Sequence, residues 1–191
     1  MSRLCSAVLV LLLAGCAGGA EVPDWQLDAA QAMHAFQRDY LVGDTRAADR
    51  DFDQVRTSLK RTGREDLLAR AELARCAIRT AALELDDCPG FQALSEGASA
   101  EDRAYAEYLL GQGARRPAAD APLSRLVAAA VALRRGELSP MEITGAVDAA
   151  SAQGWRRPLL AWLGVQAKRA EAAGDVQAAT AARRRMDLIS K

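Results

Sequence analysis

The chain reads as an all-α protein, an irregular stack of antiparallel helical hairpins with about seven to nine helices. Three observations point there. Apolar residues recur at three- and four-residue steps through most of the 191 residues, and no stretch sustains the period-two alternation of a half-buried strand. Capping residues and glycines punctuate these stripes at helix-length intervals. Alanine occurs 42 times while aromatics make up only 5%, so the core must be closely packed Leu and Ala. Half of the residues are hydrophobic, which argues against disorder and allows a sizeable core.

The first helix is expected from Trp25, N-capped by Asp24, with Leu27, Ala30, Met33, Ala35 and Phe36 on its apolar side and Gly43 as its stop. Asp44 caps a second, where Ala48, Phe52, Val55 and Leu59 form the stripe before Gly63. A third starts near Glu65 and carries Leu68, Leu73, Ala77, Ile78 and Ala81. Asp86-Asp87-Cys88-Pro89-Gly90 then breaks the pattern, and a short helix is expected from Phe91 to Glu96. Ser99 with Asp102 opens the next as a capping box, through Tyr105, Leu109 and Leu110. Gly111 to Pro122 is the longest loop. Leu123 to Arg135 is so apolar that it belongs at the centre. Ser139-Pro140-Met141-Glu142 is the best start signal: Ser at N-cap, Pro at N1, Glu at N3. Helices from Trp155 to Ala173 and from Asp175 to Ile189 follow.

The N-terminus carries an address. Arg3 precedes an apolar run, Leu4 to Leu13, which is too short for the roughly 20 residues of a membrane span. Leu13-Ala14-Gly15-Cys16 resembles the lipobox of bacterial lipoproteins. That resemblance implies a signal peptide over 1–15, a lipidated Cys16, a tether over 16–24 and one all-α domain over 25–191. Ala17 rather than Asp after the anchor resembles the outer-membrane sorting default, with the body facing the periplasm. An ordinary secretory signal cut near Ala20 is the alternative. Without Arg3 the chain has 24 basic and 25 acidic residues, so the lipid and not surface charge would hold it at the membrane. The same neutrality removes the electrostatic footprint of a nucleic-acid binder.

Gly43-Asp44-Thr45-Arg46-Ala47-Ala48 is echoed by Gly174-Asp175-Val176-Gln177-Ala178-Ala179. Gly closes one helix in the left-handed region, Asp caps the next, and paired alanines allow close approach. This resembles the hairpin of tetratricopeptide-type repeats, with Ala48 and Phe52 at the small and aromatic positions. Arg183 stands where the second copy would have its aromatic. The echoes are 131 residues apart, not a multiple of the family's period of roughly 34. An irregular stack follows rather than a regular array.

With Cys5 in the signal and Cys16 lipidated, Cys76 and Cys88 remain as a pair in an oxidising compartment, which favours a disulfide. Bridged Cα atoms lie within about 7 Å, yet a continuous helix would carry the chain about 13 Å away from Cys76 by residue 85. The third helix must therefore loosen by Leu83, with Glu84 to Asp87 folding back. Free thiols or a metal site are the alternatives; the spacing is poor for zinc.

Chemistry is sparse. His34, the only histidine, sits mid-helix, and there is no Gly-x-Ser-x-Gly elbow or Ser-x-x-Lys. Glu72, Glu84, Glu101 and Glu107 are scattered, and asparagine, common in sugar clefts, is absent. No catalytic residue, metal or cofactor is expected. Arg115-Arg116, Arg134-Arg135 and Arg183-Arg184-Arg185 fall near helix C-termini, where the macrodipole favours cations. Trp155-Arg156-Arg157 precedes a helix, and Trp162 lies seven on from Trp155, so these four form a candidate binding face, with two core tryptophans as the alternative. The expectation is a non-catalytic scaffold or accessory subunit of an envelope complex with a protein partner. A ligand, glycan or lipid-phosphate binder is the first rival, and a cryptic peptidoglycan hydrolase the second.

Overall fold

The computed structural model describes residues 22–114 and 120–190. The N-terminal segment read as a signal peptide, Cys16 and Arg115-Arg116 lie outside the described residues. Among the described residues there are nine helices and no strand: α1 Asp24–Val42, α2 Thr45–Lys60, α3 Glu65–Ala81, α4 Pro89–Gln92, α5 Ala100–Leu109, α6 Pro122–Arg135, α7 Pro140–Ala152, α8 Arg156–Ala172 and α9 Val176–Ser190. The fold is the expected all-α stack of hairpins. Consecutive helices pair as α1–α2, α6–α7, α7–α8 and α8–α9, while α3 packs against α1, α2, α4, α5 and α6.

The repeated Gly-Asp turn has the same physics at both sites. Gly43 (φ 96°) and Gly174 (φ 75°) take the left-handed conformation that closes α1 and α8. The next amide reaches back to an open helix carbonyl: Asp44 N–H to Asp39 O at 2.8 Å, Asp175 N–H to Ala170 O at 2.9 Å. Each aspartate then caps the following helix, through Ala47 N–H at 3.0 Å and Ala178 N–H at 2.9 Å. Ala48 and Ala179 are buried where the paired helices approach.

Two adjoining cores result. Phe36, Tyr40, Leu41, Phe52 and Val55 fill the first, between α1, α2 and one side of α3. Leu73, Leu109, Leu126, Val131, Val147, Trp162 and Leu163 fill the second. Helix α3 serves both, with Ala71 and Ile78 facing the first and Ala69, Leu73 and Ala77 the second. Leu123 and Trp155 touch both clusters, which makes them the mortar between them. Helix α6 is central, as its composition requires: Leu126 and Ala130 are completely buried.

Some boundaries differ from expectation. Pro23, not Asp24, is the N-cap of α1; its carbonyl already accepts from Gln26 N–H at 2.9 Å. Asp24 instead stands in the first turn, where its carboxylate faces the positive end of the dipole. Helix α4 is only Pro89–Gln92, because Pro89 starts it and turns follow from Ala93. Arg183-Arg184-Arg185 are mid-helix, since α9 continues to Ser190; Arg183 pairs with Glu171 at 2.5 Å across the α8–α9 hairpin.

Ser139 and Glu142 form the complete capping box, with Glu142 N–H to Ser139 Oγ at 3.2 Å and Ser139 N–H to Glu142 Oε2 at 2.8 Å. Ser139→Ala removes the serine half, and we expect a loss of about 1 kcal/mol in denaturant unfolding.

Candidate functional site

The densest polar region surrounds the return of the chain after α3. Helix α3 ends at Ala81, and Leu83 adopts φ 63°. Its neighbours close the helix as a glycine turn would: Leu83 N–H reaches Thr80 O at 2.9 Å and Glu84 N–H reaches Arg79 O at 3.1 Å. The chain folds back, and Cys76 and Cys88 form a disulfide with their Cα atoms 5.4 Å apart. This is the loosening at Leu83 that the bridge demands. Cys88 also sits at positive φ, 53°. Asp86 supports it, its Oδ1 accepting the Cys88 N–H at 3.0 Å.

Arginines hold this return segment from three sides. Arg79 on α3 binds Glu84 at 3.0 Å and Asp86 at 2.7 Å. Arg134 on α6 donates to the Asp86 carbonyl at 2.7 Å. Arg157 on α8 binds Glu84 at 3.3 Å, donates to the Tyr40 carbonyl at 2.7 Å and to Thr45 Oγ1 at 2.6 Å, and lies over the Tyr40 ring. Burial, then the neighbouring Glu84 carboxylate, push the Tyr40 hydroxyl up, so it stays a donor. Burial by itself would raise Glu84. The Tyr40 hydroxyl beside it, the hydrogen bond from Arg79 and the charges of Arg79 and Arg157 outweigh it and hold Glu84 below the usual carboxylate range.

The candidate face of Trp155, Arg156, Arg157 and Trp162 is not one surface. Trp162 is completely buried, and its indole N–H donates to the Ala81 carbonyl at 3.0 Å, capping the end of α3. Trp155 is half-buried between the cores. Arg156 donates to the Val42 carbonyl at 3.2 Å, beside the Arg157 contact to Tyr40. Both arginines therefore serve the negative end of α1, not that of their own helix. The seven-residue spacing of the tryptophans marks the core-facing side of α8. Arg135 likewise straps a loop, donating to the carbonyls of Gly111 and Gly113.

Carboxylates are dispersed or paired off. Glu72 is buried against Arg56 at 2.6 Å, Glu84 belongs to the return segment, and Glu101 and Glu107 are exposed on α5. Sequence reading missed Asp39 on α1 and Asp51 on α2, which the first hairpin brings together. Burial, then the neighbouring Asp39 carboxylate, raise Asp51; the hydrogen bond from Arg38 chiefly lowers Asp39. His34 is exposed on α1. Cys76, Asp86 and Cys88 are the one grouping of metal-type donors among the described residues, and both sulfurs are committed to each other.

Two recesses stand out. A groove of about 520 Å³ runs between α6, α7 and α8, lined by Leu133, Leu138, Ile143 and Val165 with Lys168 and Arg169 at its edge. A smaller pocket of about 140 Å³ opens beside the disulfide among Arg56, Glu72, Arg75, Arg79 and Asp86. No family model, curated protein or solved structure matches this chain. No helix among the described residues is long and apolar enough to cross a membrane.

Two outcomes follow from this site. Reductant, or Cys76→Ser with Cys88→Ser, should lower stability by roughly 3 kcal/mol for a loop of this length, read as a fall in thermal midpoint; an unchanged midpoint would refute the staple. Because Glu84 titrates below its unfolded value of about 4.3, its stabilisation is present above that pH and lost as pH falls through the lowered folded value. Glu84→Gln should therefore differ most from the parent at neutral pH and converge with it below about pH 4, in urea titrations run at each pH.

Proposed function

We propose that this chain is a non-catalytic lipoprotein, anchored in the outer membrane through Cys16, whose helical body faces the periplasm and binds a protein partner as an accessory subunit of an envelope complex. The observation that carries the binding role is the groove between α6, α7 and α8. Its floor is aliphatic, from Leu133, Leu138, Ile143 and Val165, and its rim is cationic, from Lys168 and Arg169. Such a trough suits an amphipathic partner helix that lays its apolar face on the floor and presents acidic residues to the rim. Met141, 82% exposed in the first turn of α7, adds apolar surface beside Pro140. The lipobox-like Leu13-Ala14-Gly15-Cys16 supports the anchor, and the disulfide suits an oxidising compartment.

Of the face that the ligand-binding rival would use, Trp162 is buried in the core, while Trp155 is half-buried and Arg156 is exposed. The test is photo-crosslinking in intact cells from a reactive residue at exposed Thr144, which lines the adjoining depression, against a control at exposed His34. One envelope protein captured from Thr144 through an acidic helical segment, and weakened by Lys168→Glu, is the expected result. A Cys16→Ser protein that still reaches the periplasm shows whether capture needs the anchor. Glycan or lipid adducts without a protein would move the reading to a ligand-binding protein.

A further inference from the structure

The pocket beside the disulfide holds one arginine that the fold pairs only loosely. Three guanidinium groups line it, from Arg56, Arg75 and Arg79, with two carboxylates, Glu72 and Asp86. Each carboxylate is already taken: Glu72 by Arg56 at 2.6 Å and Asp86 by Arg79 at 2.7 Å. Glu72 is 95% enclosed, and its other oxygen crowds Gly90, where no side chain would fit without displacing it. That carboxylate cannot swing across the pocket to serve another cation.

Arg75 is the one left over. Its only ion pair among the described residues is to Asp49 at 3.9 Å, a residue whose side chain is 62% exposed. Its Nε is buried and has no hydrogen-bond partner. It is nevertheless held in place, since its guanidinium lies 4.6 Å from the centre of the Phe52 ring, which Arg56 also covers at 4.9 Å. Two cations stacked on one buried ring, with only one of them closely neutralised, make a preorganised positive site. Arg79 is further paired with Glu84 at 3.0 Å and Arg56 with Asp53 at 3.7 Å, so Arg75 is the arginine of the pocket with no carboxylate closer than 3.9 Å. Its volume of about 140 Å³ accommodates a small tetrahedral or planar anion, and Arg75 is 26% exposed, so the site is reachable from solvent. Guanidinium forks match the geometry of carboxylate and phosphate oxygens.

We propose that this pocket binds a small oxyanion, a carboxylate or phosphate group, received by the Arg75 guanidinium with Arg56 and Arg79 beside it. The site is independent of the α6–α7–α8 groove and of the partner proposed for it. No bond is made or broken; the anion gives Arg75 the close partner that Asp49, at 3.9 Å, does not supply.

The experiment uses the oxidised protein with 15N-labelled arginine and follows the Nε–H resonances during titration with sodium acetate and, separately, inorganic phosphate. Sodium chloride at matched ionic strength is the control. The Arg75 signal is assigned by its disappearance in Arg75→Gln, a change that removes no close ion pair; circular dichroism and the thermal midpoint verify that the variant is folded. We expect a saturable shift of Arg75 with one or both anions, and the tighter one names the class. Responses of Arg56 and Arg79 to the same titrant should weaken by at least about tenfold in Arg75→Gln and also weaken in Arg75→Lys, which keeps the charge but loses the fork. A linear drift equal to that with chloride would overturn the proposal in the parent protein alone. So would saturation of Arg56 and Arg79 that is unchanged without Arg75.

Discussion

The return of the chain between Ala82 and Cys88 is the constraint on which the rest of the structure depends. A helix naturally carries the chain away from its start, and here α3 must give up its course so that Cys88 can come back beside Cys76. Two non-glycine residues, Leu83 and Cys88, are held in the left-handed region to achieve it, a conformation that side chains disfavour. The disulfide and the ion pairs of Arg79 offset that cost. Once folded back, the segment becomes a hub. Glu84 reaches Arg157 on α8 and lies beside Tyr40 on α1, and the Asp86 carbonyl receives Arg134 from α6. The first hairpin, the central α3 and the C-terminal hairpins are thereby tied at one place.

Arginine is the chief fastener of this fold. The chain has 22 arginines and 3 lysines, and the difference is physical. A guanidinium offers several donors in a fixed plane, so one side chain can bind a helix-end carbonyl and a carboxylate together. Arg157 does so across three elements, and Arg156, Arg134, Arg135 and Arg169 each secure a backbone carbonyl. The few aromatics, such as Phe36, Tyr40, Phe52 and Trp162, anchor the cores, and around them Ala, Leu and Val let the helices approach closely. Polar clasps at the helix ends then set how the hairpins sit against each other. Trp162 joins both strategies, burying a large ring in one core while its N–H closes the end of α3.

The two recesses differ in what they ask of a ligand. The α6–α7–α8 groove is aliphatic with a charged edge and gives an extended surface, suited to a macromolecular partner. The pocket beside the disulfide is polar, small and lined by arginines, and its walls are braced by the same ion pairs that hold the return segment. Its shape therefore depends on the oxidised Cys76–Cys88 bond, whereas the groove lies on helices that do not.

The sequence by itself determined the local decisions. Helix starts and stops follow from short-range chemistry: Ser139 and Glu142 cap each other within one turn, and Gly43-Asp44 and Gly174-Asp175 close one helix and cap the next with their own backbone and side-chain bonds. The disulfide was also legible, down to the need to break α3 by Leu83, because chain reach alone imposes it. What a residue does at long range was not legible. Trp155 and Trp162 carry the same spacing whether a helix face meets solvent or a core, and only the tertiary placement of α8, which brings Trp162 to the end of α3, chose the core. Arg156 and Arg157 stand at the wrong end of their own helix, and the reason became visible only when the C-terminus of α1 was found 114 residues away in the chain. The proximity of Asp39 and Asp51 and the loose pairing of Arg75 arise between elements, where neighbours are set by tertiary structure and not by periodicity. Backbone hydrogen bonding and capping act over a few residues and can be read along the chain, but electrostatic compensation is a property of three-dimensional neighbourhoods.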